Sequence, residues 1–503
     1  MNIMKSHIKF FCTCFLLVAL ASCTKNFEKL NTSPVSSELM DPGIIITQAQ
    51  RDAAFSQGGE GTNIQFGSWM QHWASGNVGV AKTSRYIQQP DNSTWALHYG
   101  IIRNLAQIRN KLLLGKETAP EGRSKLAIAK IMEIAVWDRL SAIYGDIPYS
   151  ETGLAEDKVI PNPKYDTQQK IYSDLIVQLD KSIAAITAGD MTYGAADLYY
   201  AGDLTKWKKY AYALKLQIGM RIKKADPALA QKVVTEAMGA LTISSNAETA
   251  AVQTVTSLPA NYHPTLSQYT AGSPDLQYLA KAFVDKLVST KDPRLTLIAA
   301  PTANSLKTVP QVLVYRGIDV ALTDNDLAAV VRADYSLASL QTYFNKSIAS
   351  PIPVYVMTYA DVCFMKAEAA LEGWGATSAQ AATFYADGVR AALAMNPYNI
   401  TTVPAAYAGE LLLAGTKEQQ LEKIMTQRWI SLFTRSFDAY LEWRRTGYPV
   451  LIPGKNIGNT NGTIPRRSAY PSDETILNLE NYKEASARLS NGDTYTSRMW
   501  VDK

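Results

Sequence analysis

The sequence predicts a mostly α-helical domain built from paired helices, with irregular loop insertions between them. Three observations carry this. Apolar residues recur at helical spacing through most of the chain, the helical stretches come in pairs with short connectors, and glycine and proline concentrate in a few intervening segments. The first helix is expected over 38–56, followed by 94–115 and then 121–144, where Ala129, Met132, Val136, Leu140 and Ile143 share one face. Helices over 167–187 and 203–224 come next, the second striped by Trp207, Tyr210, Ala211, Leu214, Ile218 and Ile222. Further helices are expected at 227–240, 274–289, 358–374 and 377–395. The last two span 416–434, striped by Leu421, Met425, Trp429, Leu432 and Phe433, and 435–446.

Four pairs stand out: 94–115 with 121–144, 167–187 with 203–224, 358–374 with 377–395, and 416–434 with 435–446. Pairing at this size matches tetratricopeptide-like architecture, although the sequence signature of that repeat is not clean here. Stacked pairs make a curved scaffold. The segments that do not fit are 57–92, rich in glycine, serine and aromatics, 241–273 and 296–356, which mix short β-leaning pieces such as Val312-Leu313-Val314-Tyr315 with turns, and 447–474, with many glycines and prolines. Insertions on a rigid frame are where binding usually sits.

The N-terminus reads as an export signal. Lys5 and Lys9 precede a short apolar run from Phe10 to Ala19, and Leu20-Ala21-Ser22-Cys23 follows. A small-residue cleavage site ending in cysteine is the layout of a bacterial lipoprotein, whose thiol takes acyl chains such as palmitate. Residues 1–22 are therefore expected to be a signal peptide, 23–36 a lipidated tether with Cys23 as its first residue, and 37–503 the folded domain. Beyond Cys23 no apolar run has membrane-spanning length.

Composition excludes several classes of function. The 503 residues are 47% hydrophobic and 19% charged, ordinary for a globular protein, and the net charge of +5 is spread without a basic run, so no electrostatic footprint for nucleic acid exists. Cys12 and Cys14 leave with the signal, which makes Cys363, within Val362-Cys363-Phe364-Met365, the one free thiol of the mature chain and by its context a small buried hydrophobe. His72, His98 and His263 are its only histidines, with no HExxH or CxxC, so no metal and no cofactor is expected. GxSxG is missing, and Gly58-Gly59-Glu60-Gly61 lacks the Lys-Ser/Thr of a phosphate loop.

Two carboxylate pairs have glycosidase-like composition, Asp438 with Glu442 and Asp146 with Glu151. The arginines Arg444 and Arg445 after the first pair, and the helix end at Tyr144-Gly145 before the second, point instead to ion pairing and capping. The aromatic content is more suggestive. Phe66, Trp69, His72, Trp73, Tyr86 and Trp95 interleave with glycine, asparagine, glutamine and arginine, and Tyr262, His263 and Tyr269 form a second patch. Aromatic faces with polar groups at the rim can hold a glycan without reacting with it. Trp95 lies inside a helical pattern and belongs to the core. Trp69, Trp73, Tyr86, Tyr262 and Tyr269 are the expected ligand-binding residues, and no residue is expected to be catalytic.

A series of short segments carries a family resemblance. They are Phe27-Glu28-Lys29-Leu30-Asn31-Thr32-Ser33-Pro34 after Cys23, Tyr144-Gly145-Asp146-Ile147-Pro148-Tyr149, Asp203-Leu204-Thr205-Lys206-Trp207, and Asp292-Pro293-Arg294-Leu295. Thr358-Tyr359-Ala360-Asp361-Val362 with Ala367-Glu368-Ala369, Gln427-Arg428-Trp429-Ile430 and Glu442-Trp443-Arg444-Arg445-Thr446-Gly447-Tyr448-Pro449 follow. Ile464-Pro465-Arg466-Arg467, Tyr470-Pro471 and Met499-Trp500-Val501-Asp502 complete the series. In this order along the mature chain they resemble the SusD/RagB family of outer-membrane nutrient-binding lipoproteins. The resemblance implies a SusD-like α-helical fold with four tetratricopeptide-like helix pairs, anchored by lipid in the outer membrane and facing the cell exterior. It implies a partner, a SusC-like TonB-dependent transporter that the protein caps, and a ligand, an oligosaccharide or in some members a peptide. Such proteins bind and deliver without cleaving, so the chain is expected to be no enzyme. Oligopeptide capture is the alternative, and a secreted glycoside hydrolase a more distant one. Family sites vary too much for residues to be carried over by motif. Thr24-Lys25-Asn26 also departs from the acidic residues that often follow the lipidated cysteine in surface-exported members.

Overall fold

The structure, a computed structural model, describes residues 40–502, apart from 57–62, 77–83, 89–91, 155–157, 256, 258–260, 266–277, 340–350, 455–457, 459 and 461. Cys23, the tether and Tyr269 lie outside the described residues.

Local chemistry fixes most helix ends. Helix α1 (Pro42–Phe55) starts where Asp41 accepts a hydrogen bond from Gly43 N and proline occupies the first turn. Helix α2 (Asn92–Gln107) runs on into a π turn over Ile108–Leu112, shorter than the expected 94–115. Helix α3 (Arg123–Tyr144) stops at Gly145, whose φ of 91° suits glycine. Thr167 caps α4 (Gln168–Ala185), Asp203 caps α5 (Leu204–Arg221) through the amides of Thr205 and Lys206, and Asp226 caps α6 (Pro227–Gly239).

Helix α7 spans only Lys281–Ser289, because Tyr278–Leu279, expected to be helical, form a strand instead. Reciprocal capping boxes open α8 (Tyr359–Leu371) through Thr358 and Asp361, and α10 (Lys417–Ser431) through Thr416 and Gln419. Helix α9 (Gln380–Ala394) lies between them in sequence. Helix α11 (Ser436–Thr446) ends at a left-handed Gly447, and α12 (Leu479–Ala487) follows.

The four expected pairs all pack together: α2 on α3, α4 on α5, α8 on α9, and α10 on α11. Stacking continues between the pairs, since α3 lies against α4 and α8 against both α5 and α10. Helix α5 packs more extensively on α6 than on α4, a pairing the periodicity did not single out. Strand content is small. β1 (Trp73–Ala74) pairs antiparallel with β5 (Tyr278–Leu279), β2 (Ile147–Pro148) with β3 (Tyr165–Asp166), and β4 (Ala250–Val252) with β6 (Val354–Met357). A large aliphatic and aromatic core runs through the helical stack, and a second core joins α8, α9 and α10 around Phe364, Tyr385 and Tyr407. A third, small core of Ala74, Tyr278, Ala280, Ile318, Val320 and Leu327 holds the loop insertions to one another.

Charged side chains are buried between the helices as a network. Arg221 of α5 meets Asp138 of α3 at 3.0 Å, and Arg435 joins Asp361 at 2.7 Å and Asp438 at 2.8 Å. Arg445 grips both carboxylate oxygens of Glu368 at 2.5 and 2.6 Å and bonds Glu442 at 2.7 Å, while Arg428 reaches Glu442 at 2.8 Å. Arg444 ties the C-terminal Asp502 at 3.1 Å. Among the described residues no helix is long and apolar enough to cross a membrane.

Candidate ligand-binding face

The loop insertions are knitted together by main-chain hydrogen bonds. Residues 316–318 and 336–338 flank Tyr278–Ala280, through Ile318 N to Leu279 O, Lys281 N to Ile318 O and Leu279 N to Ser336 O. Arg316 and Ser336 exchange bonds, with Ser336 N donating to Arg316 O at 2.7 Å and Arg316 N donating to Ser336 Oγ at 3.1 Å. Thr302 N to Val314 O and Asn304 N to Ala333 O close the rest of this insertion. Strand β1 then attaches the 63–76 loop to the same body through β5.

Three of the expected binding residues are not on a surface. Trp69 is 0% exposed, Trp73 1% and Tyr86 0%, so none offers a face to a ligand. Phe66 and Trp69 meet edge to face at 5.3 Å, and both pack on Tyr440. Trp73 stacks on Phe433 at 4.8 Å. Tyr86 takes a left-handed φ of 57°, and burial pushes its hydroxyl up to about 12. Position 458 must be glycine there, because a Cβ would stand 2.5 Å from Arg85 O and 2.7 Å from Tyr86 O. Flanking loop residues misled the expectation for these rings. The covering groups come from positions several hundred residues away.

Gly67 shows how tight that packing is. A Cβ there would lie 2.5 Å from Cδ1 of Trp73, a rigid indole with nowhere to move. Gly67→Ala is therefore expected to destabilise the protein by about 1–3 kcal/mol, measured by chemical denaturation against wild type.

The structure leaves other groups on the insertion face. Tyr262 is half-buried against the main core, beside His263, whose imidazole burial pushes down to about 4. Tyr315 and Tyr335 are half-buried as well, and the Arg316 guanidinium lies 4.8 Å from the centre of the Tyr335 ring. Arg332 donates to Gly76 O at 3.3 Å, and Arg85 faces Asp324 at 3.9 Å. Sequence reasoning did not single out Tyr315, Arg316 or Tyr335. The one signal was the β-leaning run ending at Tyr315. Among the described residues no cluster of histidine, cysteine and carboxylates could hold a metal ion.

The carboxylate pairs are engaged elsewhere. Asp438 is bound by Arg435, with Arg139 at 3.5 Å, and Glu442 is held down to about 2 by Arg428, Arg445 and Arg221 in spite of its burial. Asp146 accepts from Gln168 N at 2.8 Å and from Arg488 at 2.5 Å, and Glu151 accepts from Lys164 N at 2.8 Å. A carboxylate as strongly ionised as Glu442 has no proton to give a leaving group near neutral pH. Cys363 is buried, and burial pushes its thiol up to about 12, which makes it inert.

Comparison with known proteins agrees with the architecture. Residues 34–471 match a SusD-like family model described as "Starch-binding associating with outer membrane". Among solved structures, a chitin-binding protein is 28% identical with a TM-score of 0.78, and the alignment covers 92% of this chain and all of that one. A chitin-binding SusD homologue from Flavobacterium johnsoniae is 20% identical with a TM-score of 0.73, covering 91% of this chain and 98% of that one. A SusD homologue from Bacteroides fragilis is 22% identical with a TM-score of 0.77, covering 92% of this chain and 100% of the other. No curated protein matches.

Proposed function

The chain belongs to the SusD-like family, and on that footing we propose that it is a cell-surface lipoprotein capturing an oligosaccharide for a SusC-like TonB-dependent transporter. Residues 1–22 would direct export, Cys23 would carry the lipid, and 23–36 would tether the domain from residue 37 onward to the outer membrane. The ligand would bind on the insertion face and remain uncleaved.

The observation carrying this reading is the Arg316–Tyr335 stack, with Tyr315 in the same insertion. A half-buried ring can take the CH face of a pyranose, and a guanidinium beside it supplies several fixed donors to hydroxyl or amide oxygens. Tyr262, and Tyr269 outside the described residues, remain proposed ligand contacts from the sequence. The two chitin-binding neighbours make an N-acetylglucosamine oligomer the first ligand to try.

The test is calorimetry on protein lacking residues 1–23, against chito-oligosaccharides, malto-oligosaccharides and a peptide pool. Saccharide binding weakened about tenfold by Tyr335→Ala and by Arg316→Ala is the expected result. Binding of peptide alone would replace the oligosaccharide by an oligopeptide. Hydrolysis of the saccharide would defeat the non-enzymatic reading.

A further inference from the structure

Basic residues from separate segments meet at the end of α5 opposite its Asp203 cap. Lys224 follows the helix, Arg444 belongs to α11, Arg466 lies after Pro465, and Arg498 precedes the turn at Trp500–Asp502. Arg466 Nη2 donates to Arg444 O at 2.6 Å, Arg444 Nε bonds Asp502 at 3.1 Å, and Arg498 Nη1 donates to Asp502 O at 3.2 Å. Lys224 feels the same group. Burial first, then Arg466, Arg445 and Arg498, hold its ammonium below the ordinary lysine value, with Asp502 opposing. Burial, Arg444 and Arg498 likewise lower Arg466 against the pull of Asp502.

The nearby carboxylates do not balance this charge. Asp502 serves Arg444 and stands 3.7 Å from Arg466. Asp226, two residues past Lys224, caps α6 and makes no ion pair with the described residues. With both counted as fully ionised, Lys224, Arg444, Arg466 and Arg498 keep two positive charges in excess. The network behind them supplies no spare carboxylate. Arg221, Lys223, Arg428 and Arg445 are matched there by Asp138, Glu372, Glu442 and Glu368. Lys503, which follows Asp502, lies outside the described residues.

The cluster also holds donors without acceptors. Arg466 Nε and Trp443 Nε1 are buried and bond to nothing, and the guanidinium lies 5.4 Å from the centre of the Trp443 ring. Lys224 makes no hydrogen bond or ion pair with the described residues, and both it and Arg498 are exposed. One acceptor is idle as well, the buried Oδ2 of Asp502, whose charge is already counted. An occupant must therefore bring several acceptor oxygens and more than one negative charge. A single carboxylate brings two oxygens and one charge, whereas a phosphate group brings three oxygens and a charge of about −2.

We infer that the cluster of Lys224, Arg466 and Arg498 binds a phosphate group, with Arg466 beneath it and Lys224 and Arg498 on the solvent side. Free phosphate and the phosphate of a lipid headgroup present the same oxygens, and the test separates the two sources. The inference goes beyond glycan capture and does not rest on it.

The test is calorimetry of protein lacking residues 1–23 with inorganic phosphate at fixed ionic strength. Sedimentation with phosphatidylcholine vesicles, with and without phosphatidic acid, runs alongside. Phosphate is expected to bind, and the double substitution Lys224→Gln/Arg498→Gln to weaken it about tenfold. Lys181→Gln, which removes an exposed cation on α4, is expected to leave the affinity unchanged. Absence of binding would give the idle donors to water and overturn the inference. Equal affinity in the double variant, or equal weakening by Lys181→Gln, would overturn it too. Phosphatidic acid vesicles that carry down wild type but not the double variant would assign the phosphate to a lipid surface. Phosphate binding without vesicle binding would assign it to a soluble ligand. Chito-oligosaccharide binding by the double variant is expected to equal wild type, so failure of this inference and failure of glycan capture are read separately. An unchanged melting curve checks that the variant is folded.

Discussion

Arg445→Met is expected to lower the unfolding free energy by about 3–5 kcal/mol, read from denaturant titration. Arg445 is buried, and its guanidinium is the bidentate partner of Glu368 and a partner of Glu442, which are themselves buried. Removing it leaves Glu368 without its main counter-charge and Glu442 without one of the three arginines that hold it ionised, both in the interior of the helical stack. Lys223 at 3.3 Å from Glu368, and Arg428 on Glu442, compensate only in part. Attraction in the interior is strong, but so is the cost of having taken the charges from water, so the intact network need not add much net stability. Its disruption is what is costly. The double substitution Glu368→Gln/Arg445→Met should therefore cost less than the sum of the single ones, because the second removes a charge that the first left unpaired. Strict additivity would mean that the two side chains do not depend on each other and would defeat this account.

The same network explains why the family resemblance is legible in sequence while the binding site is not. Within Glu442-Trp443-Arg444-Arg445, Glu442 and Arg445 serve inter-helix ion pairs with Arg428 and Glu368, while Arg444 ties the turn at Asp502 and also reaches Ala142 O. Asp292 and Arg294 bond each other and share Tyr407, and Arg294 also donates to Gln427, which locks the segment after α7 to α10. Asp361 caps α8 and pairs with Arg435. These residues build the frame, and their spacing follows helix geometry that a sequence can display.

The helices were legible for the same reason, since a buried stripe imposes its period locally. Where the chain leaves that period, sequence reasoning lost its hold. Tyr278–Leu279 continue an apolar run into α7 but pair with Trp73–Ala74, a partner about two hundred residues away. Trp69, Trp73 and Tyr86 lie among glycines and amides and look exposed, yet Phe433, Tyr440 and the backbone at Gly454 and Gly458 cover them. Exposure in a loop is decided by what folds over it, which no local pattern reports. Arg316 and Tyr335 meet only because two segments of one insertion lie side by side, so neither residue alone carried a signal.

His72 gives the second large effect, a loss of stability in mild acid. Its ring is fully buried, stacked on Trp429 at 5.1 Å, with Nε2 donating to Trp429 O at 2.9 Å and Nδ1 placed to accept from the Ser436 hydroxyl at 3.0 Å. Burial lowers its pKa from the ordinary 6.5 to about 3. The unfolded chain therefore binds a proton at this position that the folded protein refuses, and stability falls as pH drops below 6.5 until the folded pKa is reached. Between pH 6.5 and 4.5 the expected loss from this one ring is about 2–3 kcal/mol. His263, pushed down to about 4 by burial, adds a loss of the same sign over the same window. Glu442 acts lower down: held near 2 from an ordinary 4.5, it contributes stability above 4.5 that is lost only as pH falls from there toward 2. The window from 6.5 to 4.5 thus isolates the imidazoles. His72→Gln, whose amide can still donate to Trp429 O, should be less stable at pH 7 through imperfect packing, yet lose less on acidification than wild type. Denaturant titrations of both proteins at pH 7 and pH 5 measure the difference directly. Equal losses in the two proteins would mean that the buried ring takes up its proton without unfolding, and that the pocket formed by Trp429, Phe433 and Phe283 tolerates a charge.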